Sequence, residues 1–265
     1  MHGDDIQSGR LLTRRELLGL MGAAGLIAAA GCLSGDDHGT AGDATRAGAS
    51  ATSAGATAGA PARTAGMPAC VVVPEVMEGP FFVDEKLNRS DIRSDPGTGD
   101  LKEGARLDLT FVVSSIGEGC TPLAGAMVDV WQCDALGVYS DAQDPGFNTR
   151  GQKFLRGYQL TDAQGRASFR TIYPGWYEGR TVHIHFKVRT AAQGSSAAEF
   201  TSQVFFDDAL TDDVLAKPPY AQKGSDGRTR NGGDSIFQQS EGMLTLAPQR
   251  TADGYAATFE LGLRT

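Results

Sequence analysis

The run Thr181-Val182-His183-Ile184-His185-Phe186-Lys187-Val188 places two histidines two residues apart within an apolar alternation. Successive side chains of a β-strand point to opposite faces, so Val182, Ile184, Phe186 and Val188 form one face and both imidazoles leave from the other. Two imidazoles on one face can chelate a single metal ion; a half-exposed strand with ordinary surface histidines has the same pattern. The sequence holds 4 histidines, and His2 and His38 fall in the N-terminal region, so a metal bound here needs further ligands of another kind. Cys70, Cys120 and Cys133 are scattered with no C-x-x-C spacing, which makes a zinc thiolate site a weak reading. Carboxylates or phenols are left. Tyr139 follows a β-rich run, and Tyr173 and Tyr177 lie just ahead of the histidines. A phenol titrates near about 10 in water, yet a strongly Lewis-acidic ferric ion can take its proton's place at neutral pH. Hard phenolate oxygens favour Fe(III) over Fe(II) or zinc. Taken singly, each tyrosine is more simply a half-buried core residue with its hydroxyl tied to backbone.

The elements that must position these residues read as strands. Leu107 to Val113 alternates apolar and polar residues, and Ala126 to Trp131 follows through Pro122-Leu123-Ala124-Gly125; the two read as neighbouring strands. Phe154 to Thr161, the turn Asp162-Ala163-Gln164-Gly165 and Ala167 to Ile172 read as a hairpin. Thr181 to Val188, Thr201 to Phe206, Met243 to Leu246 and Ala256 to Leu263 add further strands. No long window has a helical period, and Gly and Pro punctuate the chain. The expectation is an all-β fold, an antiparallel two-sheet β-sandwich with long loops and few or no helices in the core.

The first quarter of the chain is of another kind. Residues 1–32 contain Thr13-Arg14-Arg15-Glu16-Leu17-Leu18, an apolar run from Gly19 to Ala30, and Ala29-Ala30-Gly31-Cys32. This order resembles a twin-arginine export signal ending in a lipoprotein cleavage site, with Cys32 as the lipidated first residue of the mature chain. Residues 33–68, mostly Ala, Gly, Ser, Thr and Asp, have little to bury and read as a disordered tether. Residues 69–265 form the expected folded domain. The expected location is therefore outside the cytoplasm, as a membrane-anchored lipoprotein or a periplasmic or extracellular protein, touching membrane only through the lipid. In an oxidising compartment a disulfide is expected, with Cys70 as one partner, because Cys120 and Cys133 flank an extended strand and are too far apart to pair. The net charge of -8 survives loss of the signal, whose three arginines balance three acids. No basic run in the domain could neutralise a row of phosphates, so nucleic acid is not an expected partner.

Four ordered segments give the domain a resemblance to a known family: Glu78-Gly79-Pro80-Phe81-Phe82, Trp131-Gln132-Cys133-Asp134-Ala135-Leu136-Gly137-Val138-Tyr139, Thr171-Ile172-Tyr173-Pro174-Gly175-Trp176-Tyr177, and Gly179-Arg180-Thr181-Val182-His183-Ile184-His185-Phe186. Together they resemble the intradiol ring-cleavage dioxygenases, of the catechol 1,2- and protocatechuate 3,4-dioxygenase kind. The resemblance implies a mononuclear non-haem Fe(III) held by Tyr139, Tyr177, His183 and His185, with Tyr139 and His185 equatorial and Tyr177 and His183 axial. It implies that Arg180 acts beside the reacting ring and that Gln203 is the family's active-site glutamine. Tyr177 would serve in turn as ligand and as base for the incoming diol. Tyr173 competes with Tyr177 for the second phenolate, and Tyr177 is preferred for its place in the Pro-Gly-x-Tyr turn. Gly79-Pro80 either lines the cavity or only begins the domain.

The implied substrates are a small-molecule catechol and O2, and the implied product is a muconate-type diacid. The family also forms homodimers, although no helical extension here can be assigned to a dimer interface. One rival is a non-catalytic, prealbumin-like β-sandwich lipoprotein, a binding or stalk module, since Thr121-Pro122-Leu123-Ala124-Gly125-Ala126 and Thr161-Asp162-Ala163-Gln164-Gly165 recur in such modules. A stalk has no reason to gather two histidines beside Tyr177 and Arg180.

Overall fold

The computed structural model describes residues 71–117, 119–190 and 197–264. The expected export signal and tether, with Cys32, Cys70, His2 and His38, lie outside the described residues.

Eleven strands are present among the described residues, nine of them in two main sheets. In the first, β1 (Arg106–Ile116) lies beside β11 (Gly254–Leu263), which pairs on its far edge with β10 (Gln249–Thr251). The other edge of β1 is shared by β7 (Arg166–Ile172) and β2 (Cys120–Pro122). The second sheet runs β6 (Arg156–Leu160), β3 (Met127–Trp131), β8 (His183–Arg189), β9 (Glu199–Phe205). A small ribbon, β4 (Gln143–Asp144) with β5 (Phe147–Asn148), lies in the loop after Tyr139.

The core lies where the alternation puts it. Leu107, Leu109, Phe111 and Val113 of β1 are fully buried, as are Val128 and Val130 of β3 and Ile184, Phe186 and Val188 of β8. Phe111 of one sheet meets Phe186 of the other at 5.0 Å between ring centroids, and Phe259 of β11 packs 5.6 Å from Phe186, so these faces oppose each other across the sandwich. Each such side chain contributes about 1.5–3 kcal/mol on burial.

Three pairings differ from the sequence expectation. First, β1 and β11 are parallel, which makes the first sheet mixed rather than wholly antiparallel; strands so far apart in sequence are free of the hairpin constraint. Second, the strands read as neighbours at 107–113 and 126–131 belong to different sheets, β1 and β3. Third, the expected hairpin is a corner between sheets: β6 pairs with β3 while β7 pairs with β1. The turn itself forms, with Gly165 N donating to Asp162 O at 2.9 Å, but its end docks on β1, where Val113 N donates to Gly165 O at 2.8 Å. A side chain on Gly165 would meet the Val113 carbonyl at 2.3 Å, so this corner requires glycine.

The segment 243–246 is not a strand but a turn that touches β9 through one bridge, Phe205 to Thr245. Two short helices, α1 (Asp208–Leu215) and α2 (Ser235–Gln239), were not expected; at 8 and 5 residues they are too short to impose a helical period. Their start signals are plain in retrospect, since Asp207 and Asp234 each accept two backbone N–H groups at the N-cap. Cys133 is a free, buried thiol, and Cys120 is disulfide-bonded.

Candidate active site

The face of β8 turned away from the core carries His183, His185 and Lys187. An outer sheet face normally meets solvent, yet His183 is 2% and His185 1% exposed. Loops cover it, and they bring their own small core: Trp131, Cys133, Tyr139 and Ala142, with Phe81, Phe82, Phe147 and Tyr177 packed against them. The loops of the domain thus build a buried chamber, walled by apolar side chains, on the back of the second sheet.

Four of the residues singled out in the sequence converge there. The Nε2 atoms of His183 and His185 lie 3.0 Å apart. The Tyr177 hydroxyl is 3.2 Å and the Tyr139 hydroxyl 3.5 Å from His183 Nε2. The two phenol rings meet edge to face, with centroids 5.7 Å apart and planes at 74°. Tyr173 is elsewhere: it is fully buried in the main core, its ring against Phe206 and its hydroxyl 2.7 Å from Thr211 Oγ1. Among the described residues no group of three or more His, Cys, Asp or Glu side chains is placed to hold a metal, so the oxygen donors beside the histidines are phenols.

The donor set suits a hard trivalent cation. His183 Nδ1 lies 2.6 Å from the Thr181 carbonyl, which can only accept, so the ring carries its proton there and Nε2 presents a lone pair to the cluster. Burial, reinforced by Arg180, pushes the His183 pKa down to about 3, and burial holds His185 well below its usual value, so both rings stay neutral. Burial pushes Tyr177 up to about 12 and Tyr139 well above the usual phenol range. Such phenols ionise only when a strong Lewis acid replaces the proton. Two neutral imidazoles and two phenols with a combined demand for cationic charge fit Fe(III) better than a softer divalent ion.

The two tyrosines reach this point on loops packed against each other. Gly175, two residues before Tyr177, donates its N–H to Asp134 O at 3.0 Å, and a side chain at Gly175 would strike Ala135 O at 2.4 Å. Lys223 Nζ donates to the carbonyls of Leu136 and Trp176 at 2.8 and 2.7 Å, joining the Tyr139 loop to the Tyr177 loop.

Arg180 and Gln203 are brought to the same face. Gln203 stands opposite His185 in the β8–β9 register, and its Oε1 accepts from Arg180 Nη2 at 2.6 Å while its Nε2 donates to Met77 O at 2.8 Å. Gly79, at φ 78°, runs against the chamber, with its missing Cβ position 3.1 Å from His185 Cε1. Of the two sequence readings for Gly79-Pro80, the one that lines the site fits this contact.

Two residues of the site escaped sequence reasoning. Trp131, opposite His185 in register, stacks on its ring at 5.0 Å and 10°. Asp234, the N-cap of α2, accepts from Arg180 Nε and from Thr181 N, each at 2.8 Å. The end of a strand and the start of a family-like segment marked Trp131 without giving it a role, and an Asp before a short helix marked Asp234.

Comparison with known proteins agrees with this geometry. The family model described as dioxygenase matches residues 77–231. A catechol 1,2-dioxygenase of Acinetobacter lwoffii is 35% identical over 136 residues, covering 43% of this chain and 46% of the relative. The β chain of protocatechuate 3,4-dioxygenase from Burkholderia cepacia is 33% identical over 132 residues, covering 46% and 54% respectively. The chain thus spans about half the length of these curated relatives. Among solved structures, an intradiol ring-cleavage dioxygenase from Tetranychus urticae superposes with a TM-score of 0.64 at 31% identity, covering 74% of this chain and 95% of that one. The dioxygenase domain of a carbohydrate-binding fusion from Streptomyces sp. SirexAA-E gives 0.52 at 27% identity, covering 74% and 99%. In sequence as in fold, the chain belongs to the intradiol ring-cleavage dioxygenases.

Proposed function

We propose that the protein opens catechol-type rings with O2, between the two hydroxyl-bearing carbons, to give muconate-type diacids at a mononuclear non-haem Fe(III). Tyr139, Tyr177, His183 and His185 would hold the metal. The observation that carries this reading is the meeting of two phenols and the neutral imidazole of His185 within 3.0–3.5 Å of Nε2 of the neutral His183 in a buried chamber. Relatives named for catechol and protocatechuate support the substrate class.

Bound ferric iron would supply the Lewis acidity that binds both catecholate oxygens and draws electron density from the ring toward reaction with O2. The chain's own part is proton handling and orientation. Tyr139 is buried, whereas Tyr177 is half-buried at the edge of the cluster, which favours Tyr177 over Tyr139 as the group that would hold a proton from an incoming diol. His183 keeps its ring fixed through Thr181 while that exchange occurs. Arg180 spends Nε on Asp234 and Nη2 on Gln203, which leaves Nη1 for an oxygen of the bound substrate. A guanidinium held in this way can meet negative charge as it develops without reorganising. Export by the twin-arginine signal, a lipid anchor on Cys32 and pairing into a homodimer belong to the same proposal.

The test is colour and product. Iron-loaded protein should be red to burgundy from tyrosinate-to-Fe(III) charge transfer, and a catechol panel should give oxygen uptake matched by ring-opened diacids. A fully iron-loaded protein without colour would overturn the assignment. A coloured protein that consumes no O2 with any catechol would leave a metal-binding lipoprotein in its place.

A further inference from the structure

Arg156 opens β6 opposite Trp131 and is 3% exposed. Its guanidinium makes three contacts among the described residues, and none is to a carboxylate. Nε donates to Ser140 Oγ at 2.7 Å, Nη2 to the Ser140 carbonyl, and Nη1 to the Phe81 carbonyl at 3.2 Å. Burying a cation without a hydrogen-bonded counter-charge is costly, so the segments joined here are expected to matter for more than chain packing.

Both segments end at Tyr139. Ser140 is its chain neighbour, and the Ser140 hydroxyl is itself tied to Phe154 O at 2.6 Å. Phe81 lies face to face on the Tyr139 ring, with centroids 4.3 Å apart and planes 18° from parallel. One guanidinium therefore grips the backbone beside Tyr139 and the backbone of the ring that covers it. On the other side, Thr149 Oγ1 donates to Tyr139 O at 2.5 Å and holds the same residue, but among the described residues only Arg156 bonds both to the segment of Tyr139 and to its stacking partner. A planar fork reaches three acceptors in two segments at once; a lysine ammonium on a flexible stem does not.

We propose that Arg156 is a positioning residue for Tyr139: through Ser140 and Phe81 it fixes the direction from which the Tyr139 oxygen reaches His183 and His185. Its role in turnover rests on the ferric-site reading given above, whereas the positioning itself concerns the protein alone.

The experiment compares wild type with Arg156→Met, Arg156→Lys and Ser140→Ala, each loaded with iron. Arg156→Met should shift the phenolate-to-iron absorption band, weaken it by half or more, and lower kcat at least tenfold with KM within about twofold. Arg156→Lys should recover part of the band and rate, and Ser140→Ala should move the band in the same direction by less. Unchanged band and kcat in a folded Arg156→Met protein overturn the proposal. If both Arg156 variants fail to fold, an unshifted band in Ser140→Ala overturns it instead. Should wild type itself be colourless when loaded, the ferric-tyrosinate reading fails. The crystal structure of a folded variant then decides: a Tyr139 oxygen displaced from its 3.5 Å approach to His183 supports positioning, and one left in place overturns it.

Discussion

One carboxylate oxygen of Asp234 accepts both the Nε–H of Arg180 and the N–H of Thr181, each at 2.8 Å. The same residue caps α2 through its other oxygen, so one buried side chain fixes a guanidinium, the entry to the histidine strand and a helix start. Asp234 lies beyond the 77–231 segment that matches the family model, yet it sets the aim of Arg180 inside that segment.

Asp234→Asn should therefore lower kcat by about tenfold to a hundredfold, the scale expected when a substrate-orienting group is misplaced by an ångström. It should also destabilise the fold by about 3 kcal/mol, because Arg180 keeps its charge at 17% side-chain exposure without its partner. Burial alone would raise the Asp234 pKa, but the Thr181 amide and Arg180 outweigh it and hold the pKa below the usual 3.8. A folded pKa below the unfolded one stabilises the protein above about pH 4, and that contribution is lost as pH falls through the folded value. Urea unfolding at pH 6 and pH 3 should thus show a steeper loss for wild type than for Asp234→Asn. Parallel losses would count against the assignment of this ion pair.

Tyr177→Phe and Tyr173→Phe should behave as opposites. Tyr177 reaches His183 Nε2 at 3.2 Å, so Tyr177→Phe should change the charge-transfer spectrum and cut oxygen uptake by more than about a hundredfold. Tyr173 is bonded to Thr211 in the core, and Thr211 Oγ1 keeps a second bond to Asp207 O at 2.8 Å. Tyr173→Phe should cost only about 1 kcal/mol of stability and leave colour and turnover intact. Loss of colour in Tyr173→Phe with its retention in Tyr177→Phe would exchange the two roles.

These outcomes also mark what the sequence could and could not reveal. The shared face of His183 and His185 was legible because strand periodicity is local and strict. Tyr139 and Tyr177 were legible only through motif resemblance, since nothing in their spacing says that two loops will fold back over β8. Partner choice among strands was not legible. The turn at 162–165 looks the same in a hairpin as in a corner, and the docking of Gly165 on Val113, which decides between them, is a contact across the fold. The roles of Trp131 and Asp234 were not legible for a related reason: one is set by cross-strand register with His185, the other by a helix of 5 residues.

Gly79→Ala probes the wall of the chamber. Its φ of 78° costs a residue with a Cβ about 1 kcal/mol, and that Cβ would stand 3.1 Å from His185 Cε1. The backbone cannot retreat freely, because Gln203 Nε2 holds Met77 O two residues earlier at 2.8 Å. The His185 ring, stacked on Trp131, must give instead. The expected result is faster iron loss to a chelator with a melting temperature only a few degrees lower. Iron retention equal to wild type would show that the wall is looser than this contact implies.

Iron removal should reach the fold as well as the activity. Among the described residues the buried His185 Nδ1 has no hydrogen-bond partner, and His185 Nε2 and the two phenol oxygens lie 3.0–3.5 Å from His183 Nε2, close enough to share one ion. An ion that binds only the folded chain stabilises it by about 2.7 kcal/mol at a hundredfold excess over Kd. For a domain of this size that corresponds to roughly 5–11 °C in melting temperature. Ga(III), a hard trivalent ion without redox chemistry, should restore the melting temperature of stripped protein without restoring oxygen uptake. Fe(III) should restore both, and Zn(II) should restore less of the stability because phenolate oxygens favour the harder ion. Equal stabilisation by Zn(II) and Ga(III) would argue that the two tyrosines take no part in holding the metal.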